Sequence, residues 1–380
     1  MSGAPSPFPG FSTPAMDAVW TAGSRVSALL EFEAALALAL ADAGVAPPGE
    51  AEAAAAACRR GVADPEGILM STWESGTPLI ALLDVVRNSL AGDDERRWVH
   101  HGATSQDAID TAHVLLARSA LEIVDYSLAG ISRTLAALAE THRTQPHMGR
   151  TFLQAARPTT FGRRAAGWLE PFLRHLGRIR DARHDLAVQL GGPVGDLAGY
   201  GTAGESVVRA LAARLSLQAP TLSWHADRSR IWALVEAVAG PVRWGAKVAL
   251  DLALLSGSDV EEVALRSGAS SSMPGKRNPI DPVRALAAAD AFRGAAAMIT
   301  GAPPSELDRG LGTWHVEWYA LPLVFGTASA ALEAVGRSLD SLQVDADAMA
   351  SLVPPDQIPE VPGTDIDRVL ALFDEIVGRG

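Results

Sequence analysis

Apolar residues recur along this chain at helical spacing. Leu121, Val124, Leu128, Ile131, Leu135 and Leu138 are separated by alternating steps of three and four. That is the a/d stripe of one long helix, expected from about Asp110 to Glu140. A second pattern runs through Phe161, Ala165, Trp168, Phe172, Leu176 and Ile179. Pro158 suits the start of this helix, and Pro171 should kink it. A third covers about Ser229 to Leu255, with Gly240-Pro241 as an interior kink. A fourth starts near Pro279 and is alanine-rich through Ala297. A fifth runs from about Trp314 to Leu342. Proline and glycine cluster elsewhere, in MSGAPSPFPGFSTP, GVAPPGE and SLVPPDQIPEVPGTD, which read as loops or linkers. No short-period repeat appears.

These patterns predict an all-α fold built as a long helical bundle. Helices of roughly 30 residues span about 45 Å, and five of them are hard for one chain to cover. The stripe from Leu121 to Leu138 offers more apolar face than one subunit is expected to bury. Alanine faces invite close contact with other helices, so the bundle should bury itself by oligomerising. The expected division is an N-terminal helical domain (1–109), a central long-helix domain (110–342) and a shortened C-terminal tail (343–380).

Composition supports helices and narrows the partners. Across 380 residues, hydrophobic positions make up 48%, charged 20% and aromatic only 6%. Strands want more aromatic and β-branched residues than this. The net charge of -12 argues against nucleic acid and anionic membranes as partners. An anionic ligand therefore needs a local positive pocket. The lone Cys58 excludes an intrachain disulfide framework and suits a reducing compartment. The N-terminus has no basic stretch followed by an apolar one, so no signal peptide is expected and the protein is expected in the cytoplasm. The run ALLEFEAALALALADAGV is broken by two glutamates and reads as a soluble helix rather than a membrane span.

Three segments carry candidate chemistry. Gly268 to Pro279 reads GASSSMPGKRNP, a composition that no core helix tolerates. Its small residues let backbone N–H groups approach an anion, and Lys276 and Arg277 add positive charge. A serine beside a lysine and oriented N–H groups can act as a base. A solvated linker is the plain alternative. His100 to Ala112 reads HHGATSQDAIDTA. Asp107 or Ser105 fits a simple N-cap there. Thr104, Ser105 and Gln106 fit equally a carboxylate held at a helix N-terminus. Of the adjacent His100 and His101, only one can face a ligand. No HExxH or Cys/His spacing exists, so no metal is expected. Gly149 to Pro158 reads GRTFLQAARP, where Arg150 and Thr151 precede an expected helix and can grip an anion. A surface arginine beside a helix start is the alternative.

Together these segments resemble the fumarase/aspartase superfamily. Its signature loop, GSSxMPxKxNP, appears here from Ala269 to Pro279, with Ala269 the only departure. HHGATSQD and GRTFLQAARPTTFG resemble its first two conserved segments, in the correct order. The likeness spans roughly Phe11 to Leu342. Within the superfamily it is strongest to the bacterial 3-carboxy-cis,cis-muconate cycloisomerase family, through LGGPVGDLA (190–198), SWH (223–225) and WHVEW (314–318). Departures are His101 and Phe152 where that family tends to carry tryptophan, together with Pro193, Asp196 and Ala269.

The resemblance implies a homotetramer with a core of about twenty helices. Active sites are then shared between three subunits, no cofactor is used, and the substrate is a small polycarboxylate. It implies Ser270 as the general acid/base at the carbon α to a carboxylate. Lys276 and Asn278 become carboxylate ligands of the same loop, and Thr104, Ser105 and Gln106 the anion-binding turn. His100 becomes a substrate-site histidine that joins the catalytic group, and Arg150, Thr151 and Phe152 line the substrate. Phe152 stands where adenylosuccinate and argininosuccinate lyases carry histidine. A leaving nitrogen must be protonated, whereas a carboxylate with a parent pKa of about 4 departs as the anion. Lactonisation of 3-carboxy-cis,cis-muconate through an aci-carboxylate carbanion is the implied reaction. Elimination of a small anion such as nitrite from nitrosuccinate is the alternative. Intact Ser270, Lys276 and Asn278 argue against a catalytically inert relative.

The other histidines read more plainly. His113, His142, His147, His175 and His184 lie on or beside helices and are expected at the surface or satisfied in the core. His225 and His315 fall inside the cycloisomerase-like segments. Arg309 fits either a site residue or a helix-end salt bridge. The proline-rich end after Leu342 leaves little of the final helical domain that longer superfamily members carry.

Overall fold

Each of the five long apolar patterns lies in a helix. The computed structural model describes residues 10–268, 272–273, 275–357 and 363–378. The N-terminal part holds α1 (Pro14–Val19), α2 (Ala22–Asp42), α3 (Pro48–Arg59), α4 (Pro65–Met70), α5 (Thr72–Ser75), α6 (Leu79–Asn88) and α7 (Asp93–Arg96). The long α8 (Ser105–Thr141) leads to a hairpin of β1 (Pro146–Thr151) and β2 (Gln154–Thr160), then α9 (Phe161–His184) and α10 (Gly204–Leu215). After α11 (Ser229–Leu255) come the short strands β3 (Val263–Ala264), β4 (Ser267–Gly268) and β5 (Asn278–Pro279). The chain closes with α12 (Ile280–Thr300), α13 (Thr313–Asp340), β6 (Gln343–Val344), α14 (Ala346–Ser351) and α15 (Thr364–Ile376).

The bundle core is α8, α9, α11, α12 and α13, with α2 laid against α8 and α10. Leu121, Val124, Leu128, Ile131 and Leu135 are all buried within the single chain. This corrects one expectation: the a/d stripe is covered by the chain's own helices and is not the face left open. Apolar residues that stay exposed include Leu250 and Leu254 on α11, Val283 on α12 and Tyr319 on α13, along with Tyr126 on α8. α13 is long and apolar enough to cross a membrane by composition, but 72% of that window is buried inside the fold. The C-terminal tail is not featureless: α15 packs back onto α9 and α8.

The segment 146–160 departs from the sequence reading. Arg150 and Thr151 end a strand rather than precede a helix, and Pro158 sits in β2 opposite Met148. A two-stranded ribbon has only edges, where proline is tolerated. α9 begins after Thr160, whose hydroxyl accepts from the Arg163 N–H at 3.1 Å. The turn is made by Phe152 and Leu153 alone, at φ 51° and 62°. Such turns normally use Asn-Gly, so the sequence carries no hairpin signal. Bulky residues in that region are strained, and the Phe152 side chain is 99% exposed. α8 also begins at Ser105, five residues before the expected start.

Candidate active site

The turn before α8 is shaped by glycine. Gly102 lies at φ 71°, and a Cβ there would fall 2.6 Å from the Tyr200 ring. Thr104 is the N-cap of α8. Its N–H donates to Asp107 Oδ2 at 2.9 Å, the reciprocal half of a capping box. Asp107 is fully buried and accepts four further bonds. Gln189 Nε2 donates at 3.2 Å and His225 Nε2 lies at 2.7 Å. The Gly191 and Gly192 amides donate at 2.9 Å each. Asp107 is thus neither a simple N-cap nor free for substrate. It binds three sequence segments, 100–107, 189–197 and 223–225, into one unit.

One turn later Asp110 performs a similar task. Arg228 donates to both its oxygens, at 2.8 and 2.9 Å. The same guanidinium donates to Glu317 Oε1 at 3.0 Å, and all three side chains are buried. Two carboxylates hold Arg228 charged, above its ordinary value, against the burial that opposes charge. Gln106 is enclosed here as well, donating to Asp110 at 3.1 Å and to the His225 carbonyl at 2.9 Å.

His100 adopts φ 61°, which aims its ring back into the fold. Its Nδ1 lies 2.6 Å from Glu33 Oε1. Glu33 is fully buried on α2. Burial alone would push the ring down, but the Glu33 carboxylate overrides it and holds His100 above the ordinary histidine value. Arg309, in the segment before α13, donates to Thr104 Oγ1 at 2.9 Å and to the Pro193 carbonyl at 3.2 Å. Among the described residues it makes no salt bridge. His100, Thr104, Ser105 and Arg309 therefore lie about the N-terminus of α8, where the Thr104 and Asp107 N–H groups are already bonded and the Ser105 and Gln106 N–H groups precede the first intrahelical bond. A carboxylate fits this arrangement of positive dipole, hydroxyls and guanidinium.

The remaining candidates gather elsewhere. Arg150 Nη1 donates to Glu262 Oε2 at 2.8 Å, and His147 Nδ1 lies 3.5 Å from Glu262 Oε1. Burial would raise Glu262, but His147 and Arg150 hold it below the usual carboxylate range. This ties the hairpin to the stem of the serine-rich loop. That stem pairs β4 with β5, Gly268 opposite Asn278, while β3 pairs with β6. Lys276 is exposed. Ser270 lies outside the described residues. Thr151 and Phe152 project from the hairpin tip.

Within one chain, then, the candidates form two groups. One lies at the N-terminus of α8 and the other follows its C-terminus. A helix of 37 residues separates them by about 55 Å. Sequence reasoning missed Glu33, Asp110, Arg228, Glu262 and Glu317. Their signal was present as charged residues at core-facing positions of apolar segments, which are buried only with partners. Gln106, expected at substrate, is buried, with its Nε2 donating to Asp110 and to the His225 carbonyl and its Oε1 without a partner among the described residues.

Known proteins share this sequence and fold. Residues 10–294 match a family model described as lyase. The chain is 38% identical over 346 residues to 3-carboxy-cis,cis-muconate cycloisomerase of Pseudomonas aeruginosa, covering 89% of this chain and 75% of that one. It is 33% identical to nitrosuccinate lyase of Streptomyces davaonensis, covering 96% and 78%. The crystal structure of 3-carboxy-cis,cis-muconate lactonizing enzyme from Pseudomonas putida superposes with a TM-score of 0.82 at 32% identity, covering 97% of this chain and 86% of that one. On its loop stem, its helix-terminal turn and these likenesses, the chain is an enzyme of the fumarase/aspartase superfamily of lyases and cycloisomerases.

Proposed function

We propose that the enzyme lactonises 3-carboxy-cis,cis-muconate or a closely similar polycarboxylate. In this reading a substrate carboxylate oxygen adds to a ring-closing carbon. The displaced π pair moves to the carbon α to a second carboxylate and is held there as an aci-carboxylate. Ser270 delivers the proton to that carbon and is reprotonated by solvent. Lys276 and Asn278 bind carboxylate from the loop. Thr104, Ser105 and Arg309 bind another at the α8 N-terminus, and His100, oriented by Glu33, faces the substrate.

Phe152 is the observation that carries this choice. An exposed apolar ring on a strained turn stands where a nitrogen-releasing lyase needs an acid. A carboxylate nucleophile needs none. The same feature suits nitrite, which leaves as a stable anion, and the likeness to nitrosuccinate lyase supports that second reading. Turnover of each substrate by purified protein separates them: the proposal expects lactone from carboxymuconate, and exclusive cleavage of nitrosuccinate would replace it with the alternative.

The two groups about 55 Å apart are the support for a shared site. Catalysis then requires the loop and hairpin of some copies at the α8 N-terminus of another, as in a homotetramer built on α11, α12 and α13. Exposed Leu250, Leu254, Val283 and Tyr319 on those helices favour such burial. The reaction uses no cofactor in this reading.

A further inference from the structure

A cavity of about 230 Å³ lies among α2, α5, α8 and α13, away from the loop and hairpin residues. Its walls are largely apolar, formed by Leu29, Leu69, Pro78, Ile109 and Leu116. Four polar side chains also line it: Arg25, Thr72, His113 and Trp318. His113 is 9% exposed, and among the described residues its Nδ1 has no hydrogen-bond partner. The buried Trp318 Nε1 likewise has none. Arg25 donates from Nε to the Trp20 carbonyl at 3.1 Å, and no carboxylate among the described residues pairs with it. The expectation that His113 is a satisfied core residue therefore fails at Nδ1.

Unpartnered buried donors and an unpaired guanidinium are costly in a fold that gains nothing from them. An apolar cavity of about 150 Å³ is enough to take up a benzene ring. We propose that this cavity is a second binding site, for a small apolar monocarboxylate of benzoate size. The carboxylate meets Arg25, with the Trp318 and His113 nitrogens beside it, and the apolar body fills the space between Leu29, Ile109 and Leu116. A polycarboxylate substrate is a poor occupant, because one cation faces walls that cannot solvate further charges. None of the residues proposed to bind or transform substrate lines this cavity, and the inference stands whether or not the enzyme lactonises carboxymuconate.

Calorimetric titration of the purified full-length protein with sodium benzoate tests it, with benzyl alcohol as the uncharged counterpart. One saturable site per chain is expected, with benzoate at least about tenfold tighter than benzyl alcohol, the worth of one charge-assisted bond. Arg25→Met should bring benzoate down to the level of the alcohol, and Trp318→Phe should weaken it while keeping ring packing. Unchanged thermal unfolding of the free variants confirms that each is folded. Lys276→Ala should leave benzoate binding intact. Binding lost in Lys276→Ala but kept in Arg25→Met would place benzoate in the proposed active site and overturn the inference. No saturable heat up to about 10 mM benzoate, well above the weak end of specific binding, would overturn it as well.

Discussion

On the proposed reading, position 152 is where a nitrogen-releasing lyase needs a proton donor, and this chain presents phenylalanine. Negligible activity on adenylosuccinate and argininosuccinate follows. Phe152→His should not improve the native reaction, since the leaving or attacking carboxylate needs no acid, and the imidazole would admit water and lower the rate. Steady-state turnover of wild type on both nitrogen substrates, and of the variant on its own substrate, checks this. Ser270→Ala should lower turnover by about 10²–10⁴-fold, the usual worth of a positioned acid/base, with the fold intact. Near-normal rates would remove the serine from the mechanism.

The dyad of His100 and Glu33 makes a different prediction. The ring is held above its ordinary value only because Glu33 outweighs burial. Glu33→Gln leaves burial alone, so the His100 titration seen by NMR should move downward. The sign for stability follows. A raised folded value contributes stability that is fully present below the unfolded value of about 6.5 and is lost as pH rises through the folded value. Glu33→Gln should abolish that contribution, and the variant's denaturation midpoint should no longer fall across that window. An unchanged titration would mean that Glu33 does not orient the ring.

At the scale of elements, Asp107 is the knot between α8, the 189–197 segment and His225. Asp107→Ala leaves His225 and three backbone amides buried without their acceptor. A loss of about 3–5 kcal/mol is expected from breaking one side of a buried charged network, read by denaturant unfolding. This knot was half legible in the sequence. Asp107 looked like a helix cap because only its local spacing was visible, while its other partners lie about eighty to 120 residues away and depend on packing. The long helices were legible because their apolar period is strong over many turns. The hairpin at 146–160 was not: its turn uses Phe152-Leu153 in place of the glycine-containing pairs that announce such turns. Its Arg150 stood out in the sequence as an anion ligand, and the partner the fold gives it, Glu262, is 112 residues on.

For the whole molecule, the sequence suggested oligomerisation from the wrong surface. The stripe from Leu121 to Leu135 is covered at home, and α11, α12 and α13 each leave apolar residues open. Sedimentation should give a tetramer at micromolar concentration, and a monodisperse monomer would contradict the shared site. A sharper check mixes two inactive variants, His100→Ala and Ser270→Ala, under conditions that exchange subunits. If the two groups of one chain serve different sites, mixed assemblies contain sites with neither lesion and activity returns. No recovery despite demonstrated exchange would place His100 and Ser270 of the same chain in one site.

The central claim is that this member of the superfamily closes a carboxylate onto a carbon–carbon double bond rather than expelling nitrogen. Turnover of 3-carboxy-cis,cis-muconate by the purified protein, followed by loss of diene absorbance with the product identified by NMR, tests it most directly. The account predicts lactone as the product. Robust adenylosuccinate cleavage with no consumption of carboxymuconate would contradict it, and would mean that another residue, such as His101, supplies the acid that Phe152 cannot.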